Sequence, residues 1–283
     1  MKPITPIIGI SKIIGAYDSV VCGYDGVLTK GKGISSEALK ALKNMHDQGV
    51  SVIILSNSPL RVKDLVESLQ DVSFDLNNLT AVVTAGELLH HKLKNNKKLG
   101  RRYYNLGGDS DKGIFAGLDY QKVSNIHDAD FIFIGDADPL KGNVEDYNAD
   151  LQAAAAIGLP LVCVGMDVAT HRDGEICLSA GAVAEQYALL GGSVTTLGKP
   201  NQDVLAYVQE CLPADVSKTL FIGDSFLSDM KAGAYMGAKM LLVSKGIHMH
   251  TLGEGYIPDV QKARQLALNY DVYPDYLISG LRW

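Results

Sequence analysis

Four short polar motifs, well separated along the chain, carry the residues that could do chemistry. Each motif follows an apolar run or precedes a predicted helix. They are, in chain order, Gly23-Tyr24-Asp25-Gly26-Val27-Leu28, Ser56-Asn57, Lys199-Pro200, and Gly223-Asp224 with Asp229. Together they offer carboxylates, a hydroxyl with loop amides, and one lysine. Magnesium prefers oxygen ligands and lysine neutralises phosphate oxygens, so the set indicates a site for a phosphoryl group and Mg²⁺.

The elements that must position these motifs are parallel β-strands alternating with helices. Apolar runs at residues 20–22, 50–55 and 219–222 each end just before one of the motifs. Such runs are typical of parallel strands that are covered on both faces. Because ligands of open parallel sheets bind beyond the carboxyl ends of the strands, all four motifs can meet in one crevice. The predicted fold class is α/β with a Rossmann-like parallel sheet.

The alternation of strands and helices occurs in two blocks, the second placed inside the first. Further strands are predicted near 80–83, 102–106, 131–134, 161–164 and 240–243, and helices near 38–45, 61–69, 85–93, 148–157, 182–190, after Pro200 and from Asp229. The charged stretch 92–102 has no interleaved aromatic residues, so we interpret it as a solvated hinge. We predict a core of residues 1–98 and 196–283 and an inserted α/β cap domain of residues 99–195.

Composition excludes several classes of protein. The chain has 283 residues, of which 47% are hydrophobic and 20% charged, and a net charge of −6. This balance argues against a general nucleic-acid or anionic-membrane binder. No apolar run approaches membrane-spanning length. The four cysteines show no paired CxxC spacing, which favours reduced thiols in a cytoplasmic protein.

Each motif also has a plain structural explanation when it is taken alone. Asp25 before Gly26 could be ordinary turn chemistry, and Ser56 could be a helix cap. Lys199 could be a surface lysine, and His248 with His250 is interpreted as a pair of surface or loop histidines. Convergence of all four motifs on one crevice favours function over structure, because clustered polar groups in a cleft are usually functional.

On these motifs the sequence resembles the haloacid dehalogenase superfamily, specifically its phosphatase branch with an inserted class IIA (C2-type) cap. That branch includes nucleotide monophosphatases, nitrophenyl phosphatases and pyridoxal phosphatases. Segments 103–107, 131–135 and 178–199 resemble the cap of the family, and 274–276 resembles its terminal strand. The resemblance implies a Mg²⁺-dependent phosphatase acting on a small phosphorylated metabolite. Caps of this class often form dimers, so it also implies a homodimer through the cap.

The resemblance assigns a role to each motif residue. It implies that Asp25 is the general acid and base and helps to hold Mg²⁺, and that Ser56 and Asn57 bind the phosphate. It implies that Lys199 balances the charges of nucleophile and phosphate, and that Asp224 and Asp229 serve the metal. For the cap, we predict substrate contacts in a set of three residues near two strand ends, namely Asp136, Met166 and Asp167.

The sequence departs from the family pattern at Gly23. The family motif reads D-x-D-G-V-L, and its first aspartate, matched here by Gly23, attacks phosphorus. Cys22 and Tyr24 point to the opposite side of a strand from residues 23 and 25, and Asp18 is too far upstream. Loss of a covalent nucleophile elsewhere costs about 10⁴–10⁶ in turnover. Three explanations stay open: a phosphatase scaffold, a non-catalytic phosphometabolite-binding or regulatory protein, and a glycine introduced at this position.

Overall fold

The structure is a computed structural model that describes residues 3–30, 33–96, 98–109, 111–172, 175–213, 215–253 and 255–283. Its strands are β1 (Thr5–Pro6), β2 (Ser19–Gly23), β3 (Thr29–Lys30), β4 (Gly33–Ile34), β5 (Ser51–Ser56), β6 (Ala81–Thr84), β7 (Arg102–Asn105), β8 (Gln121–Val123), β9 (Phe131–Ile134), β10 (Leu161–Val164), β11 (Ala169–Arg172), β12 (Glu175–Leu178), β13 (Val194–Leu197), β14 (Thr219–Gly223), β15 (Lys239–Val243) and β16 (Tyr276–Ile278).

Helices alternate with these strands. The α-helices are α1 (Ser36–Asp47), α2 (Val62–Asp71), α3 (Ala85–Asn95), α4 (Asp111–Phe115), α5 (Asn148–Ala156), α6 (Ala180–Leu189), α7 (Gln202–Cys211), α8 (Lys231–Met236), α9 (Met249–Leu252) and α10 (Val260–Tyr270). A π-helix covers Phe226–Met230. Side-chain caps mark the start of several helices. At α1, Ser35 Oγ accepts a hydrogen bond from Ala38 N, and at α3, Thr84 Oγ1 accepts one from Glu87 N. Within the described ranges, no helix has the length and apolar character needed to cross a membrane.

Two parallel sheets organise the chain. The larger has seven strands in the order β1-β16-β15-β14-β2-β5-β6, and the smaller has five in the order β13-β10-β9-β7-β8. All ladders in both sheets are parallel. The predicted α/β class with a Rossmann-like parallel sheet is confirmed. Two antiparallel hairpins, β3–β4 and β11–β12, were not predicted.

Strand β2 is central to the larger sheet and is buried along its whole length. Its side chains alternate between two hydrophobic clusters, one on each face of the sheet. Val21 belongs to the first cluster, while Val20, Cys22 and Tyr24 belong to the second. This alternation agrees with the expectation that Cys22 and Tyr24 point away from the side that residue 23 faces.

The chain contributes to the larger sheet from both of its ends and to the smaller sheet from its middle. The strand layout is compatible with the predicted core of 1–98 and 196–283 and the predicted inserted cap of 99–195, a division that stays a prediction. The boundary after residue 195 falls inside β13, whose last residue Leu197 pairs with Val164 of β10. The smaller sheet therefore extends to Leu197, because its edge strand continues to the turn before Lys199.

Candidate active site

The carboxyl ends of β14, β2 and β5 form the floor of the candidate site. In the ladders, Ile222 lies opposite Cys22, and Leu55 lies opposite Gly23, so the three strands end at nearly the same level. A cavity of about 520 Å³ lies above these ends. Seven of the predicted site residues line it, and the set is Asp25, Asn57, Asp136, Asp167, Lys199, Asp224 and Asp229. The structure thus brings residues from all four motifs together.

Asp25 and Ser56 form a hydrogen-bonded pair at this edge. Ser56 is buried behind the cavity wall, and its Oγ donates to Asp25 Oδ2 at 3.2 Å. Asp25 lines the cavity and is exposed toward it. Desolvation of its carboxyl group by the surrounding protein raises the pKa of Asp25, while Lys199 and the hydrogen bond from Ser56 oppose the rise. A carboxyl group with a raised pKa keeps its proton to a higher pH than an ordinary aspartic acid does.

Lys199 and Asp229 form a buried ion pair. Lys199 Nζ donates to Asp229 Oδ1 at 2.6 Å and to the carbonyl oxygen of Leu55 at 3.1 Å. Burial lowers the pKa of Lys199, but Asp229 and then Asp167 outweigh it, so the pKa lies above its ordinary value. The lysine is therefore a charged group held at the end of β5.

Asp224 is a buried carboxylate that lies beside Asp229. Its Oδ2 accepts from Ile247 N at 2.8 Å. Burial and then the charge of Asp229 raise the pKa of Asp224 well above its usual range. Gly26 and Gly246 make room for it, because a Cβ at either position would lie 1.9 Å or 2.1 Å from Asp224 Oδ2.

The predicted metal ligands fit Mg²⁺ unequally. Asp224 fits best, because a nearby cation would relieve the cost of its buried charge. Both oxygens of Asp229 have other partners: Oδ1 accepts from Lys199, and Oδ2 accepts from the amides of Asp224 and Ser225 at 3.0 and 3.1 Å. Among the described residues, no three His, Cys, Asp or Glu side chains converge as a metal-binding group. The residues suit a magnesium ion held by one carboxylate, water and ligand phosphate.

The Asn57 side chain joins three parts of the molecule instead of facing the cavity alone. Its Oδ1 accepts from Lys199 N at 2.6 Å, and its Nδ2 donates to Asp167 Oδ2 at 2.7 Å and to Lys199 O at 3.4 Å. These bonds fix the backbone that carries Lys199. The predicted phosphate contact of Asn57 stays a prediction, and these bonds already engage its side-chain amide.

Two of the three residues predicted as cap contacts line the cavity, and the third does not. Asp136 and Asp167 line the cavity, and Asp167 also touches the core through Asn57 and Ser225. Met166 does not line it. Its backbone packs against the start of α6, where a Cβ on Gly181 would lie 2.6 Å from the Met166 carbonyl group. The prediction for Met166 as a substrate contact is therefore not supported by its position.

Gly23 lies at the centre of this arrangement and is closely packed. Its backbone is buried, and a Cβ built there would lie 3.3 Å from Asp229 Oδ1 and 3.4 Å from Val27 Cγ2. A side chain at this position would therefore point toward the Lys199–Asp229 pair. The neighbouring Cys22 thiol donates to Gly23 O and is fully buried, which raises its pKa and keeps it protonated.

Sequence reasoning missed three contributors to the site. Ser225 directly follows Asp224 and could have been noticed in the Gly-Asp-Ser motif. Ile247 acts through its backbone amide, and no side-chain pattern marks such a role. His248, interpreted as a surface or loop histidine, lies in the turn before α9, where its ring is half-buried against Phe226 and Tyr270, with ring centroids 5.3 and 5.9 Å away. Phe226 N donates to His248 Nε2 at 3.5 Å.

His248 gives the fold a pH dependence. Burial lowers the pKa of His248 to about 4 from 6.5. The unfolded chain therefore binds this proton more readily, so the stabilising effect of the neutral ring is present above pH 6.5 and is lost as the pH falls toward 4. We expect the thermal midpoint to drop more steeply between pH 6.5 and 4 in the wild type than in His248→Gln. Equal slopes in parallel calorimetric scans would contradict this expectation.

Comparison with known proteins gives the same family that the motifs indicate. Residues 20–121 match the family model described as haloacid dehalogenase-like hydrolase, and residues 196–267 match a second one described as HAD-hydrolase-like. Bacillus subtilis 5'-nucleotidase YutF is 23% identical over 251 residues, covering 87% of this chain and 93% of YutF. Escherichia coli K12 ribonucleotide monophosphatase NagD is 23% identical over 239 residues, covering 81% of this chain and 88% of NagD.

A solved structure supports the match over nearly the whole chain. A haloacid dehalogenase-like hydrolase from Brucella suis 1330 aligns with a TM-score of 0.80 and 26% identity, covering 96% of this chain and 98% of that one. The chain belongs to the haloacid dehalogenase superfamily. Within it, the chain belongs to the phosphatase branch with a class IIA cap, and this membership supports a phosphatase-type function. The roles of single residues stay predictions.

Proposed function

We propose that this chain binds a small phosphorylated metabolite together with Mg²⁺ and lacks the covalent step of its family. One observation supports this proposal more than any other. The groups that would hold a phosphate and transfer a proton surround Gly23, and Gly23 offers no side chain to attack phosphorus. The site therefore keeps the means to bind a phosphomonoester without the nucleophile that would form an aspartyl-phosphate.

Each site residue has a physical role in such binding. The Lys199 ammonium group would neutralise phosphate oxygens, and Ser56 Oγ would donate to one of them instead of to Asp25. Asp224 would hold Mg²⁺, which when bound adds positive charge beside the phosphate. Asp25, with its raised pKa, would hold a proton that could go to a leaving-group oxygen. Without an attacking carboxylate at position 23, that proton has no bond cleavage to assist.

Direct binding tests the proposal. We expect inorganic phosphate to bind the wild-type chain in 5 mM MgCl₂, as measured by isothermal titration calorimetry. Ser56→Ala is the matched variant: it removes one donor without changing charge, and we expect it to weaken binding by about fivefold to tenfold, as is typical of one hydrogen bond. A folded wild-type chain that binds no phosphate at millimolar concentration would contradict the proposal.

A working phosphatase is the second candidate. The observation that favours it is family membership, together with the assembly of Asp25, Ser56, Lys199 and Asp224 in one site. On this alternative the chain as it stands releases phosphate from p-nitrophenyl phosphate when Mg²⁺ is present. The wild-type arm of the activity assay described in the Discussion separates the two candidates.

The remaining expectations are proposals of the same standing. We propose a homodimer through the cap, supported by exposed apolar side chains of the middle block such as Leu140 and Leu189, whose exposures are 92% and 83%. Light scattering after gel filtration gives the mass that tests it.

We also propose a cytoplasmic protein that binds neither nucleic acid nor membrane, supported by the net charge of −6 and four cysteines without disulfides.

A further inference from the structure

One carboxylate of the middle block reaches across the mouth of the site. Asp167 lies in the loop after β10, which belongs to the smaller sheet. Its Oδ2 accepts from Asn57 Nδ2 at 2.7 Å, and its Oδ1 accepts from Ser225 Oγ at 3.1 Å. Both donors belong to loops that follow strands of the larger sheet. Asp167 therefore links a loop of the smaller sheet directly to two loops of the larger sheet at the cavity.

The order of strands places this carboxylate above Gly23. Asn57 follows β5 and Ser225 follows β14, and β2 lies between these two strands. A group that bonds to both loops must therefore span the end of β2, where Gly23 lies. In this structure an internal carboxylate therefore bridges the two loops that flank the end of β2.

Asp167 is surrounded by hydrogen-bond donors and a cation, as a bound anion would be. Both carboxylate oxygens accept hydrogen bonds from neutral donors, and the charge of Asp167 is among those that raise the pKa of the buried Lys199. The same charge also raises the pKa of Asp25. A phosphate placed against Ser56 and Lys199 would lie in this negative field and would be repelled by it.

We propose that Asp167 is an internal anion that holds the cap closed on the core and that a ligand phosphate must displace. The proposal rests on the proposed phosphate site. Entry of phosphate repels the carboxylate and competes with it for the positive field of Lys199. Displacement releases the links to Asn57 and Ser225, so ligand binding and cap opening are coupled through one side chain.

The test measures phosphate affinity and cap–core contact separately. Asp167→Asn removes the charge; its carbonyl oxygen can still accept from Asn57, but its NH₂ group can bond to Ser225 only if the serine hydroxyl turns to accept, so both links lose their charge assistance. We expect inorganic phosphate to bind this variant at least about tenfold more tightly than wild type, in calorimetry with MgCl₂; tenfold corresponds to about 1.4 kcal/mol. Asp71→Asn is the charge control, because Asp71 is an exposed carboxylate at the rim of the same cavity and should shift affinity by less than about twofold.

Hydrogen exchange provides the second readout. Asp167→Asn and the charge-neutral Ser225→Ala should both speed amide exchange in peptides covering 164–170 and 56–60, whereas Asp71→Asn should leave these peptides unchanged. Equal or weaker phosphate binding by Asp167→Asn would overturn the proposal, because a ligand-contacting or structural role predicts that direction. Unchanged amide exchange in both Asp167→Asn and Ser225→Ala would also overturn it. If no variant binds phosphate, the proposed function fails, and the exchange measurement still decides whether Asp167 closes the cap.

Discussion

Gly23→Asp is expected to give this chain Mg²⁺-dependent hydrolysis of p-nitrophenyl phosphate at a rate at least about 10⁴-fold above that of the wild type, the range by which loss of a covalent nucleophile lowers turnover. The new carboxylate would emerge from β2 beside Lys199 and on the same side as Asp25. A Cβ at this position would lie 3.3 Å from Asp229 Oδ1, so the Asp229 side chain must move by a few tenths of an ångström to admit it. The chemistry gained is attack of this carboxylate on phosphorus, with the Asp25 proton passing to the leaving oxygen.

Two matched variants make this gain specific. Gly23→Asn has nearly the same shape as Gly23→Asp but no nucleophilic carboxylate, so it should remain as inactive as the wild type. Gly23→Asp combined with Asp25→Asn should lose most of the gained activity, because the proton donor is absent. The hydrolase scaffold would be refuted by a folded Gly23→Asp chain with no gain in phosphate release. Wild-type turnover comparable to that of Gly23→Asp would favour the working phosphatase over the binding protein.

Local sequence signals predicted the part of the site that lies at strand ends. Asp25, Ser56 and Asp224 each follow a run of buried apolar residues, and parallel strands align such runs at one edge of a sheet. Strand ends and helix starts are local properties, so the pattern of apolar and polar residues carries them. The family resemblance added the roles of these residues. The positions of the residues in the fold are compatible with those roles but do not test them.

Contacts between distant segments were beyond the reach of the sequence. Asp167 meets Asn57 and Ser225 across separations of 110 and 58 residues, and no local pattern specifies that meeting. Met166 and Asp167 were both predicted from the cap loop around residues 165–168, yet only Asp167 lines the cavity. Strand β13 was not predicted, because its residues Val194–Leu197 are mostly half-exposed or exposed and show no strong apolar run.

Asp229→Asn is expected to lower the free energy of unfolding by about 3–5 kcal/mol, the cost of leaving one member of a buried ion pair without its partner. Lys199 and Asp229 have side-chain exposures of 6% and 2%, and the pair is joined at 2.6 Å. An asparagine at 229 loses the negative charge that holds the Lys199 ammonium. Its NH₂ group must also face either that ammonium or the amides of Asp224 and Ser225. In both orientations a hydrogen-bond donor lies against another donor.

Urea denaturation of two further variants separates this effect from a general loss of charge. Asp47→Asn removes an exposed partner of Lys43, an ion pair with side-chain exposures of 57% and 50%, and should change stability by about 0.5 kcal/mol or less. Lys199→Met with Asp229→Asn should be less destabilised than the sum of the two single variants, because removal of the lysine also removes the uncompensated charge. A loss below about 1 kcal/mol in Asp229→Asn would mean that water or another group compensates Lys199, and the buried pair would then not be what holds the end of β5 to the π-helix.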